Sequence, residues 1–379
     1  MANIRQKGAV SIFSVIFAAL LLLVLTVSFT RLMISGQQRA INNDLSQSAY
    51  DAALAGVEDA KRVVRRCLSG SGSASSLACA ALDQPDDCKV ISRAQVAGSV
   101  ADSEVVVRSA SSGNDGSQFD QAYTCVNIAM NTPDYLSDVR EGQAEVIPLR
   151  SVGEFNRVVV EWYSQADVGS GGLATRPSGG PSDLPRVSDW GPTAPPLMRA
   201  QLISPGASFS VEHLDSSAAS QTVFMRPGNM VNGTTNFNVS MNRARATDGG
   251  EHSNQLVPLA NCSRNFANNG YSCRATLELS NPISANDSNS AFLRLNSIYK
   301  NSQIRISLLS ATGDIVNFRS VQPAVDSTGR ANNLFRRTEA RLEVGEQFSY
   351  PSYAVDVVND LCKDFSVNDE RADSGLCQP

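Results

Sequence analysis

The chain has 379 residues, 42% of them hydrophobic, with eight cysteines, two histidines and a net charge of −5. Residues 1–66 hold eight Lys or Arg against four Asp or Glu, which leaves −9 for the remainder and disfavours a broad polyanion-binding surface there, though not a local patch. A Ser-His-acid or Cys-His centre would have to use His213 or His252, both in polar stretches without a GxSxG elbow, and no P-loop or dinucleotide glycine pattern occurs, so no enzyme is expected.

The first predicted element is a helix. From Ala9 to Thr30 there are 22 uncharged residues, 17 of them apolar and the other five Ser or Thr. At about 1.5 Å per residue this run spans about 33 Å, one hydrocarbon core. It is longer than the apolar core of a secretory signal peptide and lacks a small-x-small cleavage site. Arg5 and Lys7 precede it and Arg31 follows, so the short N-terminal flank is expected to stay cytoplasmic and the bulk of the chain to lie outside.

The helical pattern continues beyond the bilayer. Ile41, Leu45, Ala49, Ala52, Ala53, Gly56, Ala60, Val63 and Val64 recur at steps of three and four, opposite an expected wet face of Gln38, Asn42, Gln47, Asp51, Glu58, Asp59, Lys61 and Arg62. No proline precedes Pro85, which allows one helix from Ala9 to Arg66, about 87 Å long. The inward stripe is mostly Ala and Gly, side chains that let a sheet or another helix approach closely.

These residues, "QKGAVSIFSVIFAALLLLVLTVSFTRLMISGQQRAINNDLSQSAYDAALAGVEDAKR", resemble the class III signal and N-terminal helix of type IV pilins and pseudopilins, nearest to PilX-type minor pilins. The shared pattern is a short basic leader ending in Gly, a hydrophobic run and an Ala-rich amphipathic extension. It covers residues 1–66. The resemblance implies a leader over 1–8, cleavage by a prepilin peptidase between Gly8 and Ala9, and a pilin-type helix over 9–66 with its membrane segment at 9–30. It also implies that Phe13, Ala18, Leu22 and Leu25 pack in a filament core. Most major pilins have Phe at the first mature position and Glu at the fifth, where this chain has Ala9 and Phe13. In the family that carboxylate pairs with the N-terminal amine of a neighbouring subunit in an apolar core. A subunit without it suits the filament tip, where it receives no such amine. The usual proline near the end of the apolar segment is also absent.

Beyond Arg66 the pattern turns to short β-rich runs: 104–108, 123–128, 144–149, 157–163, 222–225, 237–241, 274–279, 292–299, 303–309, 315–318 and 336–344. Alternation in "QIRISLL" and "EARLEV" predicts antiparallel sheets with one wet face. The expected fold class is α+β, a long N-terminal helix carrying a large antiparallel, disulfide-bonded extracellular region. Its divisions are a first β-rich region at 67–163, a Pro/Gly/Ser-rich loop or linker at 164–197, a second β-rich region at 198–346 and an acidic tail at 347–379. Within the linker, Trp190 either pins the loop to the body or serves as a contact residue.

All eight cysteines follow the apolar segment, as disulfides on the outer side of a membrane would. Cys262 with Cys273 and Cys362 with Cys377 are natural local pairs, whereas Cys67, Cys79, Cys88 and Cys125 leave three connectivities open. Zinc is the weaker reading, because there is no CxxC. Calcium has one candidate set, Asp360, Asp364, Asp369 and Asp373 beside Cys362 and Cys377, although their spacing departs from an EF-hand loop. No other cofactor is expected. Arg336, Arg337 and Arg341 in "RRTEAR" alternate across a strand and are expected in ion pairs rather than in one basic patch. Four Asn-x-Ser/Thr triplets, at Asn232, Asn238, Asn261 and Asn286, are weak signals in so Asn- and Ser-rich a chain.

Two functions fit this pattern. One is a subunit of a type IV pilus or related filament, minor or at the tip, serving assembly, adhesion or twitching motility. It would sit as a single-pass protein of the cytoplasmic membrane before moving to the cell surface, with other pilin subunits, the assembly machinery, the prepilin peptidase and a host or neighbouring cell surface as partners. The other is a permanently anchored surface adhesin whose helix is a stalk.

Overall fold

The computed structural model describes residues 7–84, 88–97, 104–108, 120–168, 190–204, 220–241 and 259–343. Helix α1 (Lys7–Ser69) is followed by α2 (Ser73–Leu82) and α3 (Val90–Arg93). Strands β1 (Val105–Arg108), β2 (Gln121–Thr132), β3 (Asp134–Val139), β4 (Ala144–Pro148) and β5 (Phe155–Ser164) come next, then the single turn α4 (Gln165–Val168). After it run β6 (Leu197–Ile203), β7 (Ser220–Val231), β8 (Asn238–Ser240), β9 (Leu259–Ser263) and β10 (Tyr271–Ile283). The last are β11 (Phe292–Ile298), β12 (Ser302–Leu309), β13 (Ile315–Val316), β14 (Phe318–Ala331) and β15 (Leu334–Arg341). A long apolar N-terminal helix and a β-rich, disulfide-bonded region are thus both present.

The chain forms two compact units, one of residues 1–128 and 325–340 and the other of residues 129–324 and 341–379. They are therefore not the two stretches that flank 164–197. β5, which precedes that segment, is hydrogen-bonded between β10 and β12, which follow it.

In the first unit the sheet order is β1-β2-β14-β15. The inner half of α1 lies on this sheet with Ala49, Ala52, Ala53, Ala60 and Val63 each fully buried. Such methyls are worth only about 0.8 kcal/mol each, so the benefit of the stripe is proximity rather than area. Two glycines show how close the approach is. A β-carbon at Gly329 would stand 2.0 Å from the Ala49 carbonyl oxygen, and one at Gly56 would stand 2.4 Å from Ser327 Oγ. The expected stripe begins too early, because Ile41 is 53% exposed and full burial starts at Ala49. The region after Arg66, expected to be β-rich throughout, opens instead with α2. Its sequence "SASSLACAAL" favours a helix, and a Cys67–Cys79 disulfide returns it to the end of α1.

The second unit holds an 11-stranded sheet, ordered β13-β12-β5-β10-β9-β7-β6-β11-β4, with β3 on β12 and β8 on β10. Most pairs are antiparallel as expected, but β7–β9 and β8–β10 are parallel, so this sheet is mixed. The reason is topological. The chain between Val231 and Leu259, and between Ser240 and Tyr271, is long enough for a crossover, and strands so joined need no hairpin. The main core is built by alternation: Val158, Val160 and Trp162 on β5 meet Ile304, Ile306 and Leu308 on β12, with Leu293 and Leu295 from β11 in the same cluster. Trp162 is buried without loss because its Nε1–H donates to the Pro196 carbonyl at 3.1 Å.

The disulfide Cys262–Cys273 joins directly opposed residues of β9 and β10, as expected from their spacing. The open connectivity resolves to Cys67–Cys79 and Cys88–Cys125. Three disulfides are in keeping with an oxidising environment. Cys362, Cys377 and the acidic tail lie outside the described residues.

Candidate functional site: the two-faced helix

α1 divides its length between two environments. Its inner half buries one face, from Ala49 on, in the first unit, while Phe13 is 76% exposed, Leu22 62%, Leu25 56% and Phe29 72%. Ala18 is exposed as well. The helix is long and apolar enough to cross a membrane, and among the residues described from Phe13 onward none of its apolar window is buried within the protein. No acidic side chain occurs before Asp44. Gly8 and Ala9 fall in the first turn of α1, which starts at Lys7.

The few polar side chains on this surface are satisfied within the helix. Thr26 Oγ1 donates to the Leu23 carbonyl at 2.9 Å, Ser28 Oγ to Val24 at 2.8 Å and Thr30 Oγ1 to Thr26 at 2.8 Å. Those bonds remove the desolvation penalty of a free hydroxyl in hydrocarbon or in a helical bundle. The exposed half is therefore an apolar rod with no unmet polar group among these residues, long and apolar enough to cross a membrane.

Polar contacts hold the buried half in place. The Tyr123 hydroxyl donates to Asp59 Oδ2 at 2.7 Å, and Arg62 pairs with Asp59 Oδ1 at 2.8 Å. Burial, and after it the Asp59 carboxylate, drives the Tyr123 hydroxyl well above the ordinary tyrosine range. Arg336 Nε donates to Ser46 Oγ at 2.8 Å, and Arg337 pairs with Asp326. In the second unit Arg341 pairs with Asp134 at 2.8 Å. The "RRTEAR" arginines thus act as separate structural contacts.

Trp190 is 4% exposed, stacks on Tyr299 with ring centres 4.2 Å apart, and donates from Nε1 to Pro195 at 3.1 Å, so it pins its loop. His213, His252, Asp360, Asp364, Asp369 and Asp373 lie outside the described residues. Among the described residues no group of three or more His, Cys, Asp or Glu could hold a metal ion.

One charged cluster escaped the sequence reading. Glu161, 2% exposed on β5, faces Arg305 at 2.5 Å on one neighbouring strand and Arg274 at 3.8 Å on the other, and accepts from Asn269 Nδ2 at 3.0 Å. A buried carboxylate so fully partnered is structural ballast for the centre of the sheet. Its only signal in the sequence is a carboxylate inside the run "VVVEWY", which is otherwise apolar or aromatic.

No protein-family model matches the chain, and no curated protein or solved structure is significantly similar to it.

Proposed function

We propose that the chain is a structural subunit of a type IV pilus or related filament, minor or at the tip. The observation that carries this reading is the division of α1: one half sunk into its own sheet, the other an apolar rod that the protein itself leaves bare. Burying such a surface at about 25 cal/mol per Å² is the main driving force open to it, first in lipid and then among like helices. The basic flank ending in Gly8 and the Ala-rich extension support processing before Ala9. Phe13, without a carboxylate to pair with a neighbour's amine, favours the tip over the shaft. The outer disulfide-bonded units then face the surroundings, in keeping with adhesion or motility.

The rival reading is a permanently anchored adhesin. Terminal sequencing or mass analysis of the mature envelope protein separates the two. The filament reading expects Ala9 as the new N-terminus, with N-methylation; an intact Met1 or Ala2 start would sink it. Immunogold labelling of sheared filaments then distinguishes tip, shaft and cell-body placement.

A further inference from the structure

On one face of the second unit's sheet two arginines stand side by side. Pairing of β11 with β6 sets Arg294 opposite Gln201 and Asn296 opposite Arg199, and pairing of β6 with β7 sets Arg199 opposite Phe224 and Gln201 opposite Thr222. Strand alternation puts these six residues on one face, since the intervening Met198, Ala200, Leu202, Leu293 and Leu295 all belong to the core. Arg199 and Arg294 are diagonal neighbours, within reach of one another.

Among the described residues neither guanidinium has a carboxylate partner. Arg294 Nη1 reaches only Gln201 Oε1, at 3.5 Å, and Arg199 lies over the Phe224 ring with its guanidinium carbon 5.7 Å from the centroid. The Nε atoms of both, and Asn296 Oδ1 beside them, are buried without a hydrogen-bond partner in the protein. Burial, and then Arg294, depresses the basicity of Arg199. Two like charges in such a place destabilise the fold unless something else neutralises them. Arg305, by contrast, is matched by Glu161, and Arg330 by Glu104 and Asp120. The pair also stands out against the acidic balance of the chain beyond residue 66.

We infer that Arg199 and Arg294 form a binding site for the carboxylate group of an organic anion. The guanidinium fork matches the two oxygens of a carboxylate, and a modest turn of either side chain presents Nε–H and Nη–H together. Gln201, Thr222 and Asn296 supply neutral polar contacts beside the charge, and the Phe224 ring holds Arg199 in place from below. One end of this face is closed by the Trp190–Tyr299 stack with Ala194 and Leu197, which gives the site a rigid wall. The inference is independent of the filament reading, because it concerns a ligand of the outer unit whatever α1 joins.

The test is calorimetric titration of the full chain in non-ionic detergent micelles with glutarate, its neutral analogue glutaramide, and inorganic phosphate. Glutarate is expected to bind saturably, glutaramide not at all and phosphate more weakly. Arg199→Gln and Arg294→Gln are each expected to weaken glutarate about tenfold, the loss of one charge-assisted hydrogen bond. Arg199→Lys, which keeps the charge and removes the fork, is expected to fall between. The comparison of glutarate with glutaramide on the unaltered protein needs no variant to fold. Absence of saturable glutarate binding, equal binding of glutaramide, tighter binding of phosphate, or undiminished binding by the double Gln variant would each overturn the site.

Discussion

Gly329 of β14 lies against Ala49 of α1 so closely that a β-carbon at 329 would stand 2.0 Å from the Ala49 carbonyl oxygen and 2.3 Å from the Ala53 nitrogen. Both obstacles are backbone, so neither can swing aside. Gly329→Ala is therefore expected to force strand and helix apart and to cost the first unit about 3 kcal/mol, at the upper end of ordinary overpacking. Gly36, also on α1, has nothing within 4 Å of its own added β-carbon. Gly36→Ala is expected to stabilise the isolated subunit by up to about 1 kcal/mol through helix propensity. Chemical unfolding of the two variants, followed by circular dichroism in detergent, is expected to move them in opposite directions.

Alkaline pH offers a second probe of the same packing. Burial, with Asp59 adding to it, holds the Tyr123 hydroxyl protonated in the folded protein well beyond the ordinary tyrosine range. In the second unit burial, and then Glu145, does the same for Tyr135, and burial pushes Tyr163 up to about 12. Above about pH 10 the unfolded chain releases these protons while the folded chain keeps them, so stability is full below that pH and falls as pH rises. Each such tyrosine contributes at most about 1.4 kcal/mol per pH unit to that fall. Tyr123→Phe is expected to flatten the alkaline decline of the first unit, and at neutral pH to cost about 1–2 kcal/mol for the lost bond to Asp59. Urea titrations at pH 7.5 and at pH 10.5 measure both effects; an equal slope in variant and parent would refute the assignment.

The disulfides are expected to differ in accessibility. Cys262 and Cys273 are both fully buried, whereas Cys67, Cys79, Cys88 and Cys125 are all partly accessible. Under mild reductant on the folded protein, Cys67–Cys79 and Cys88–Cys125 should open first and Cys262–Cys273 last, read by differential alkylation and mass spectrometry. Removing both Cys262 and Cys273 as Ser should cost about 3 kcal/mol, and removing Cys88 with Cys125, which close a longer loop, about 4 kcal/mol in the chain-entropy model.

How much of this was legible depended on whether local pattern and tertiary demand agreed. β4, β5, β10, β11 and β12 were readable because alternation or a continuous apolar run matches their burial. β14 was not, because Pro323 and Gly329 read as punctuation, and the glycine is explained only by a helix backbone about 280 residues earlier in the chain. β6, "LMRAQLI", was hidden by the proline-rich stretch that runs into it. The pairing of the first four cysteines depends on α2 turning back on α1, which no spacing rule states. The Arg199–Arg294 pair is invisible without register, since 94 intervening residues separate two positions that only the β6–β11 pairing makes neighbours. The helix, by contrast, carried its message in composition alone. An apolar run too long for a signal core, followed by small residues at helical spacing, needs no tertiary knowledge to be read as one long helix with an apolar half and a packing half.

Phe13 supplies the sharpest test of the proposed function. It is 76% exposed on the apolar half of α1, where the resembling major pilins hold a glutamate. Phe13→Glu is expected to leave the outer units unchanged, since the position touches neither core, and to weaken membrane retention slightly, because a carboxylate within a bilayer-spanning helix costs up to about 3 kcal/mol. In a filament the same carboxylate gains a partner in the N-terminal amine of a neighbouring subunit, and the pair relieves the cost of leaving that amine buried and unpaired in an apolar core. The variant should therefore enter the shaft, appearing along sheared filaments by immunogold labelling rather than at their ends. If Phe13→Glu and the parent label the same place with the same frequency, position 13 does not decide placement and the argument for the tip fails.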